Sequence, residues 1–219
     1  MPDGTTRAVF FDLDGTLADT APDLGGALNR LLGEQGRSAL DMAVIRPYVS
    51  AGVRGMLGVG FGLKPDHTDY PPLAHRFLEL YASRLCDGTR LFDGMPALIE
   101  ELEGRAIRWG VVTNKSARFT LPLMDALGLS DRAVAIVSGD SVPRPKPAPD
   151  ALQLACNTAN VPATRVLYVG DDLRDIQAAH ACDMRAVAAA WGYLGDGPAI
   201  GDWGADAIID EPLDLLGLL

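Results

Sequence analysis

The apolar positions of this chain fall into two textures. Over residues 7–12, and again from residue 105 onward, short apolar runs alternate with amphipathic segments. Residues 107–113 (IRWGVVT), 133–137 (AVAIV), 166–169 (VLYV) and 185–190 (RAVAAA) are nearly continuous in apolar side chains. Such runs suit strands buried on both faces, as the strands of a parallel sheet are. Residues 122–129, 149–160 and 173–182 lie between them and carry helical patterns. Strand and helix in alternation predict an α/β fold with a doubly wound parallel sheet, whose ligands bind outside the carboxyl ends of the strands.

Residues 18–90 have the other texture. Thr20 to Asp23 resemble a capping box, and Leu24, Leu28, Leu31 and Leu32 then recur at helical spacing. Leu73, Phe77, Leu80, Tyr81 and Leu85, with Pro71 and Pro72 near their start, predict a second amphipathic helix. The region is expected to be a small helical insert. The stretch AGVRGMLGVGFGL (51–63) between these helices has no strand before it and lacks the G-x-G-x-x-G spacing, which argues against a dinucleotide loop.

Composition narrows the function classes. The 219 residues, 48% hydrophobic and 22% charged, can bury one large domain or one domain with an insert. A net charge of -10 disfavours nucleic acid and anionic membranes as partners but leaves a small substrate open. Cys86, Cys156 and Cys182 form no closed disulfide set and read as reduced thiols. No basic segment precedes an apolar leader, and no run approaches the roughly eighteen apolar residues of a membrane span. A cytoplasmic location is therefore expected.

The chemistry sits where the apolar runs end. In AVFFDLDGTLADT, Asp12 and Asp14 follow the first strand; Thr113 and Asn114 follow WGVV; Lys146 lies in RPKPAPD; Asp171, Asp172 and Asp175 follow VLYV. Taken singly, each has an ordinary structural explanation as a cap, a turn or a solvated loop residue. Together, at strand ends that face one way, they make a site for a hard divalent cation and a phosphate. A cation would also remove the repulsion between clustered carboxylates.

FDLDGTLADT, VVTNK, RPKPAPD and YVGDDLRDIQAA resemble the four motifs of the haloacid dehalogenase superfamily of phosphatases, and the insert after the first motif is similar to its type C1 cap. Within the superfamily the chain most resembles the phosphoglycolate phosphatase branch, and its C-terminal segment resembles the N-acetylmuramic acid 6-phosphate phosphatases. The resemblance implies a Rossmann-like core of residues 1–17 and 91–219, a helical cap of residues 18–90, and an Mg²⁺-dependent phosphomonoester hydrolase. It implies that Asp12 forms an aspartyl-phosphate and that Asp14 serves as acid and then base. Thr113 and the backbone of Asn114 would hold the phosphate, with Lys146 neutralising its charge. Mg²⁺ would bridge Asp12, the main-chain carbonyl of Asp14, and Asp171.

By the same resemblance, Asp175 would orient Lys146 or metal-bound water, Thr16 would brace the loop and Gly15 would allow its turn. Asp172 stands where many relatives carry serine, and could either ligate the metal or stand behind it. Gly52 and Arg54, in the cap segment that closes over the site, are expected to face the substrate. Arg54 is expected to hold a carboxylate on it. The expected partner is a small phosphorylated metabolite, and the chain is expected to be a monomer or homodimer. A phospho-aspartate receiver module is too short to account for the chain, and a D-x-D glycosyltransferase would not require Thr113 and Lys146.

Overall fold

The computed structural model describes residues 6–219. Its strands are β1 (Ala8–Phe11), β2 (Ala18–Asp19), β3 (Arg90–Leu91), β4 (Arg108–Val112), β5 (Ile136–Val137), β6 (Val166–Gly170), β7 (Arg185–Ala189) and β8 (Ala207–Ile209). Six of them form one parallel sheet in the order β5-β4-β1-β6-β7-β8. β1 lies inside it, Ala8 pairing with Arg108 on one side and Val166 on the other. All four of its side chains are fully buried. Ala8 and Phe10 enter the layer that holds Leu152, Tyr168 and Ile176, while Val9 and Phe11 enter the layer that holds Leu98, Val111 and Leu123. Successive strand residues point to opposite faces, so a strand covered on both faces must be apolar throughout.

The helices α5 (Met95–Gly104), α6 (Ala117–Ala126), α7 (Asp150–Ala159) and α8 (Leu173–His180) complete the α/β layers. Three details differ from the sequence reading. The short β8 was not foreseen; it has three residues at the sheet edge and exposes Ile208. β5 covers only the end of the expected 133–137 run, although Val134 still donates to the carbonyl of Trp109 and Ala135 accepts from Val111. α6 begins at Ala117 instead of Pro122, which lies inside it. A proline read as a helix start is here an interior residue, because the Asp140 side chain accepts the amide of Ala117 and opens the helix earlier. That cap comes from a distant loop, beyond the reach of any local sequence pattern.

A second group of helices lies between β2 and β3: α1 (Ala21–Glu34), α2 (Met42–Ile45), α3 (Gly52–Phe61) and α4 (Tyr70–Ala82), with a 3₁₀ turn over Arg46–Ala51. Leu28, Leu31, Leu32, Phe77, Leu80 and Tyr81 form their shared core. The glycine-rich stretch is thus helical. Gly55 is required there, since a Cβ would stand 2.2 Å from the Tyr48 carbonyl oxygen. β2 and β3 pair antiparallel, Ala18 with Leu91 and Asp19 with Arg90, so the two chain crossings between the helical group and the sheet run side by side. Phe119 and Tyr193 reach from the sheet side into the helical core. Among the described residues no helix is long and apolar enough to cross a membrane.

The capping box expected at Thr20 is absent. Thr20 has helical backbone angles and its buried hydroxyl has no partner. Asp23 turns instead to the returning strand, accepting hydrogen bonds from the amides of Gly88 (2.7 Å) and Thr89 (2.9 Å) and from the Thr89 hydroxyl (2.6 Å). Its carboxylate thereby ties the first turn of α1 to the chain leaving the helical group. Asp23→Ala leaves these donors without an acceptor in a largely buried place, and is expected to lower the unfolding free energy by about 2 to 3 kcal/mol in urea titrations. A loss under about 0.5 kcal/mol would contradict this role.

Candidate active site

β4, β1 and β6 are neighbours in the sheet, so the residues that follow them meet at one edge. Asp12 and Asp14 follow β1; Thr113, Asn114 and Lys115 follow β4; Asp171 and Asp172 follow β6. After β1 the chain turns back at once, the amide of Leu17 bonding to the carbonyl of Asp12 and that of Ala18 to Leu13. Gly15 makes the turn at φ +85°, and a Cβ on it would lie 2.2 Å from Asp171 Oδ2. Glycine is needed for both conformation and space. Thr16 then donates to Asp171 Oδ1 at 2.8 Å.

Lys146 is buried at the centre of the cluster. Its Nζ donates to the Val112 carbonyl (3.0 Å), the Tyr168 hydroxyl (2.7 Å) and Asp175 Oδ1 (2.6 Å). An ammonium has three hydrogens, and these three acceptors use them. Asp12 Oδ1, 2.9 Å from the same nitrogen, is attracted by its charge yet receives no directed hydrogen bond. Burial pushes the Lys146 pKa down, but the charges of Asp12 and Asp175 outweigh it and leave the pKa raised, so the group stays cationic. Asn114 fixes the lysine's backbone, its side chain donating to the Lys146 carbonyl and accepting from the Lys146 amide.

Asp12, Asp171 and Asp175 each offer an oxygen within 4.8 Å of the others, all buried. Burial first, then the charges of Asp12 and Asp175, push Asp171 up to about 8. Burial and the charge of Asp12 likewise raise Asp175, with Lys146 opposing them, to about 6. An oxygen-only donor set, one carboxylate oxygen without a hydrogen bond and a neighbour held on its proton suit a hard cation placed among them. Both oxygens of Asp175 accept hydrogen bonds, Oδ1 from Lys146 and Oδ2 from the amide of Asp172, as do those of Asp171, Oδ1 from Thr16 and Oδ2 from Ser50 and the amide of Tyr193.

Asp172 lines the same cavity but is not one of the three clustered acids. It caps α8 by accepting from the Arg174 amide, and the Arg174 guanidinium grips its two oxygens at 2.8 and 2.7 Å. Burial raises its pKa, but these bonds to Arg174 prevail and hold it below the usual carboxylate range. Asp14 turns its side chain to Lys115, whose Nζ lies 2.9 and 3.2 Å from its two oxygens and 4.7 Å from the centre of the Tyr81 ring.

Sequence reasoning missed Lys115, although it ends the VVTNK motif. It also missed Tyr168, whose hydroxyl in the middle of a buried strand needed a polar partner. Ser50 was missed because no local pattern signals it and only the fold brings it near: its Oγ lies 2.8 Å from Asp171 Oδ2 and 3.5 Å from the Asp14 carbonyl.

A cavity of about 390 Å³ opens above these groups. Asp12, Asp14, Thr113, Lys115 and Lys146 line its sheet side, while Val49, Val53, Phe77 and Tyr81 line its helical side. Gly52 lines it too, as expected. Arg54 does not: it is exposed and outside the cavity lining. Helix geometry turns each residue about 100° from the last, so with Gly52 and Val53 facing the cavity Arg54 is carried about 200° from Gly52.

A family model described as haloacid dehalogenase-like hydrolase matches residues 9–189. An N-acetylmuramic acid 6-phosphate phosphatase of Pseudomonas putida is 41% identical over 95% of this chain and 94% of its own. A phosphoglycolate phosphatase of Xanthomonas campestris pv. campestris is also 41% identical, again over 95% of this chain and 94% of its own. The solved structure of a haloacid dehalogenase-like family hydrolase from Streptococcus pneumoniae shares the fold, with a TM-score of 0.83 at 23% identity over 98% of both chains.

The raised Asp171 pKa has a measurable consequence in metal-free protein. The folded state keeps a proton on Asp171 that the unfolded chain releases near pH 4, so this group's contribution to stability falls as pH rises from about 4 to 8. Asp171→Asn is expected to raise the melting temperature of EDTA-treated protein at pH 8 by on the order of 5 °C, with the gain shrinking towards pH 5. Equal shifts at both pH values would contradict the burial of an ionisable cluster.

Proposed function

The chain belongs to the haloacid dehalogenase-like hydrolases, and on that premise we propose that it cleaves a small phosphomonoester by passing the phosphoryl group through Asp12. The observation that carries this reading is the Asp12 carboxylate, which lines the cavity at the strand ends and is ion-paired at 2.9 Å with the buried Lys146 ammonium. Attack by Asp12 forms the new P–O bond as the ester P–O bond breaks, and Asp14 gives its proton to the departing alkoxide. Asp14 then takes a proton from water, which attacks phosphorus and restores the Asp12 carboxylate. The Thr113 hydroxyl and the Asn114 amide hold the phosphate oxygens, a task the Asn114 side chain cannot share because it is bonded to Lys146. Lys146 offsets the charge that builds on the transferring group.

In this reading Asp12, Asp171 and the carbonyl of Asp14 would hold Mg²⁺, which would supply positive charge to the phosphate oxygens. Asp175 stands behind it, fixing Lys146, and Asp172 braces α8. Lys115 holds Asp14 until an arriving phosphate competes for its ammonium. Residues 18–90 act as a cap on a core of residues 1–17 and 91–219, moving on the paired β2 and β3.

The substrates named for the relatives, phosphoglycolate and N-acetylmuramic acid 6-phosphate, are both phosphorylated carboxylic acids of the kind found in cytoplasmic metabolism. The second is favoured by the apolar wall of Val49, Val53, Phe77 and Tyr81, against which acetyl and lactyl methyl groups can pack. A two-carbon acid offers that wall nothing.

The direct test is phosphate release from p-nitrophenyl phosphate with Mg²⁺. Activity is expected to disappear with EDTA and to fall by about 1000-fold or more in Asp12→Asn, whose amide is close in shape but cannot form the acyl-phosphate. Asp14→Asn is expected to cost more on alkyl phosphates than on p-nitrophenyl phosphate, whose leaving group needs little protonation. Asp12→Asn activity within tenfold of the parent would rule out the nucleophile.

A further inference from the structure

Among the described residues, four cationic side chains line the cavity: Lys115, Arg118, Lys146 and Arg174. Three are committed to acids. Lys115 is paired with Asp14, Lys146 with Asp12 and Asp175, and Arg174 with Asp172. Arg118 has no acidic partner among the described residues. It lies in the first turn of α6, four residues beyond Asn114 on the segment that leaves β4. It is exposed and yet lines the cavity, which places it at the mouth. Its guanidinium carbon stands 4.4 Å from the centre of the Phe119 ring, and that buried ring packs 5.1 Å from Tyr81 of α4. The cation thus rests on an apolar ledge at the seam between the sheet side and the helical group.

We infer that Arg118 is the residue that selects substrates bearing a carboxylate, holding that group at the mouth while the phosphate lies at the strand ends. The inference rests on the phosphatase reading above. A guanidinium stacked on a ring keeps its in-plane N–H edge free, and that edge matches the two oxygens of a carboxylate. An unpaired cation at the mouth, where the other cations of the cavity are bound to acids, marks where an anionic group of the ligand belongs. Both substrates named for the relatives carry a carboxylate besides their phosphate. Stacking also reduces the side-chain entropy that gripping the acid would otherwise cost.

The experiment compares matched substrates that differ in the acid. N-acetylmuramic acid 6-phosphate is set against N-acetylglucosamine 6-phosphate, and phosphoglycolate against 2-hydroxyethyl phosphate. The parent is expected to prefer the acid of a pair it hydrolyses. Arg118→Ala and Arg118→Gln are each expected to lower the acid-to-neutral ratio of kcat/KM at least about tenfold, with melting temperatures unchanged, as for a lost charged hydrogen bond. Arg118→Lys is expected to retain part of the ratio, and Arg54→Ala, outside the cavity lining, all of it. An unchanged ratio in Arg118→Ala, or a parent indifferent to the acid, overturns the assignment of Arg118 alone. A parent that releases no phosphate from these four or from p-nitrophenyl phosphate overturns the phosphatase reading itself.

Discussion

One buried ammonium organises the site. Lys146 gives its hydrogens to the Val112 carbonyl, the Tyr168 hydroxyl and Asp175, and so gathers groups from β4, β6 and α8 around a single charge. Removing a cation from water costs several kcal/mol unless paired charges and hydrogen bonds offset it, and here two carboxylates and two neutral acceptors do so. Asp12 is ion-paired with the same nitrogen at 2.9 Å and lines the cavity. With three acids against one lysine the pocket remains over-supplied with negative charge, and the high pKa of Asp171 is the response. The same imbalance is what a divalent cation would remove.

The helical group is tied to that centre through few but specific contacts. Ser50 donates to Asp171, and Arg174 of α8 donates to the Ser50 carbonyl. On the crossing strand β2, Asp19 accepts from Arg46 of the helical group on one oxygen and from the Tyr193 hydroxyl of the sheet side on the other. The Tyr193 amide in turn donates to Asp171. The helical group is thus bonded to β2 through Asp19 and to the acid cluster through Asp171.

The parallel sheet was legible because burial on both faces leaves an unmistakable trace: AVFF and VLYV contain no charged residue, and the acids begin where they stop. Asp12, Asp14, Thr113, Lys146 and Asp171 could be picked out for the same reason, each standing just beyond an apolar run or in a motif. What stayed hidden depends on distant partners. Thr20 and Asp23 have the spacing of a capping box, but Gly88 and Thr89 offer Asp23 three donors and draw it away. Ser116 and Pro122 do not reveal that Asp140 starts α6. Arg54 was singled out in sequence, but the turn of α3 leaves it exposed outside the cavity lining, while Arg118 of α6 lines the mouth.

The central claim is that Asp12, ion-paired with Lys146 at the cavity wall, carries the phosphoryl group. It is tested most directly by quenching the enzyme during turnover and reducing it with borohydride, which converts an aspartyl-phosphate to homoserine. The account predicts homoserine at position 12, formed only when substrate is present and absent from Asp12→Asn. Homoserine at another aspartate, or unmodified aspartate at position 12 during active turnover that accumulates a phosphoenzyme, would contradict it.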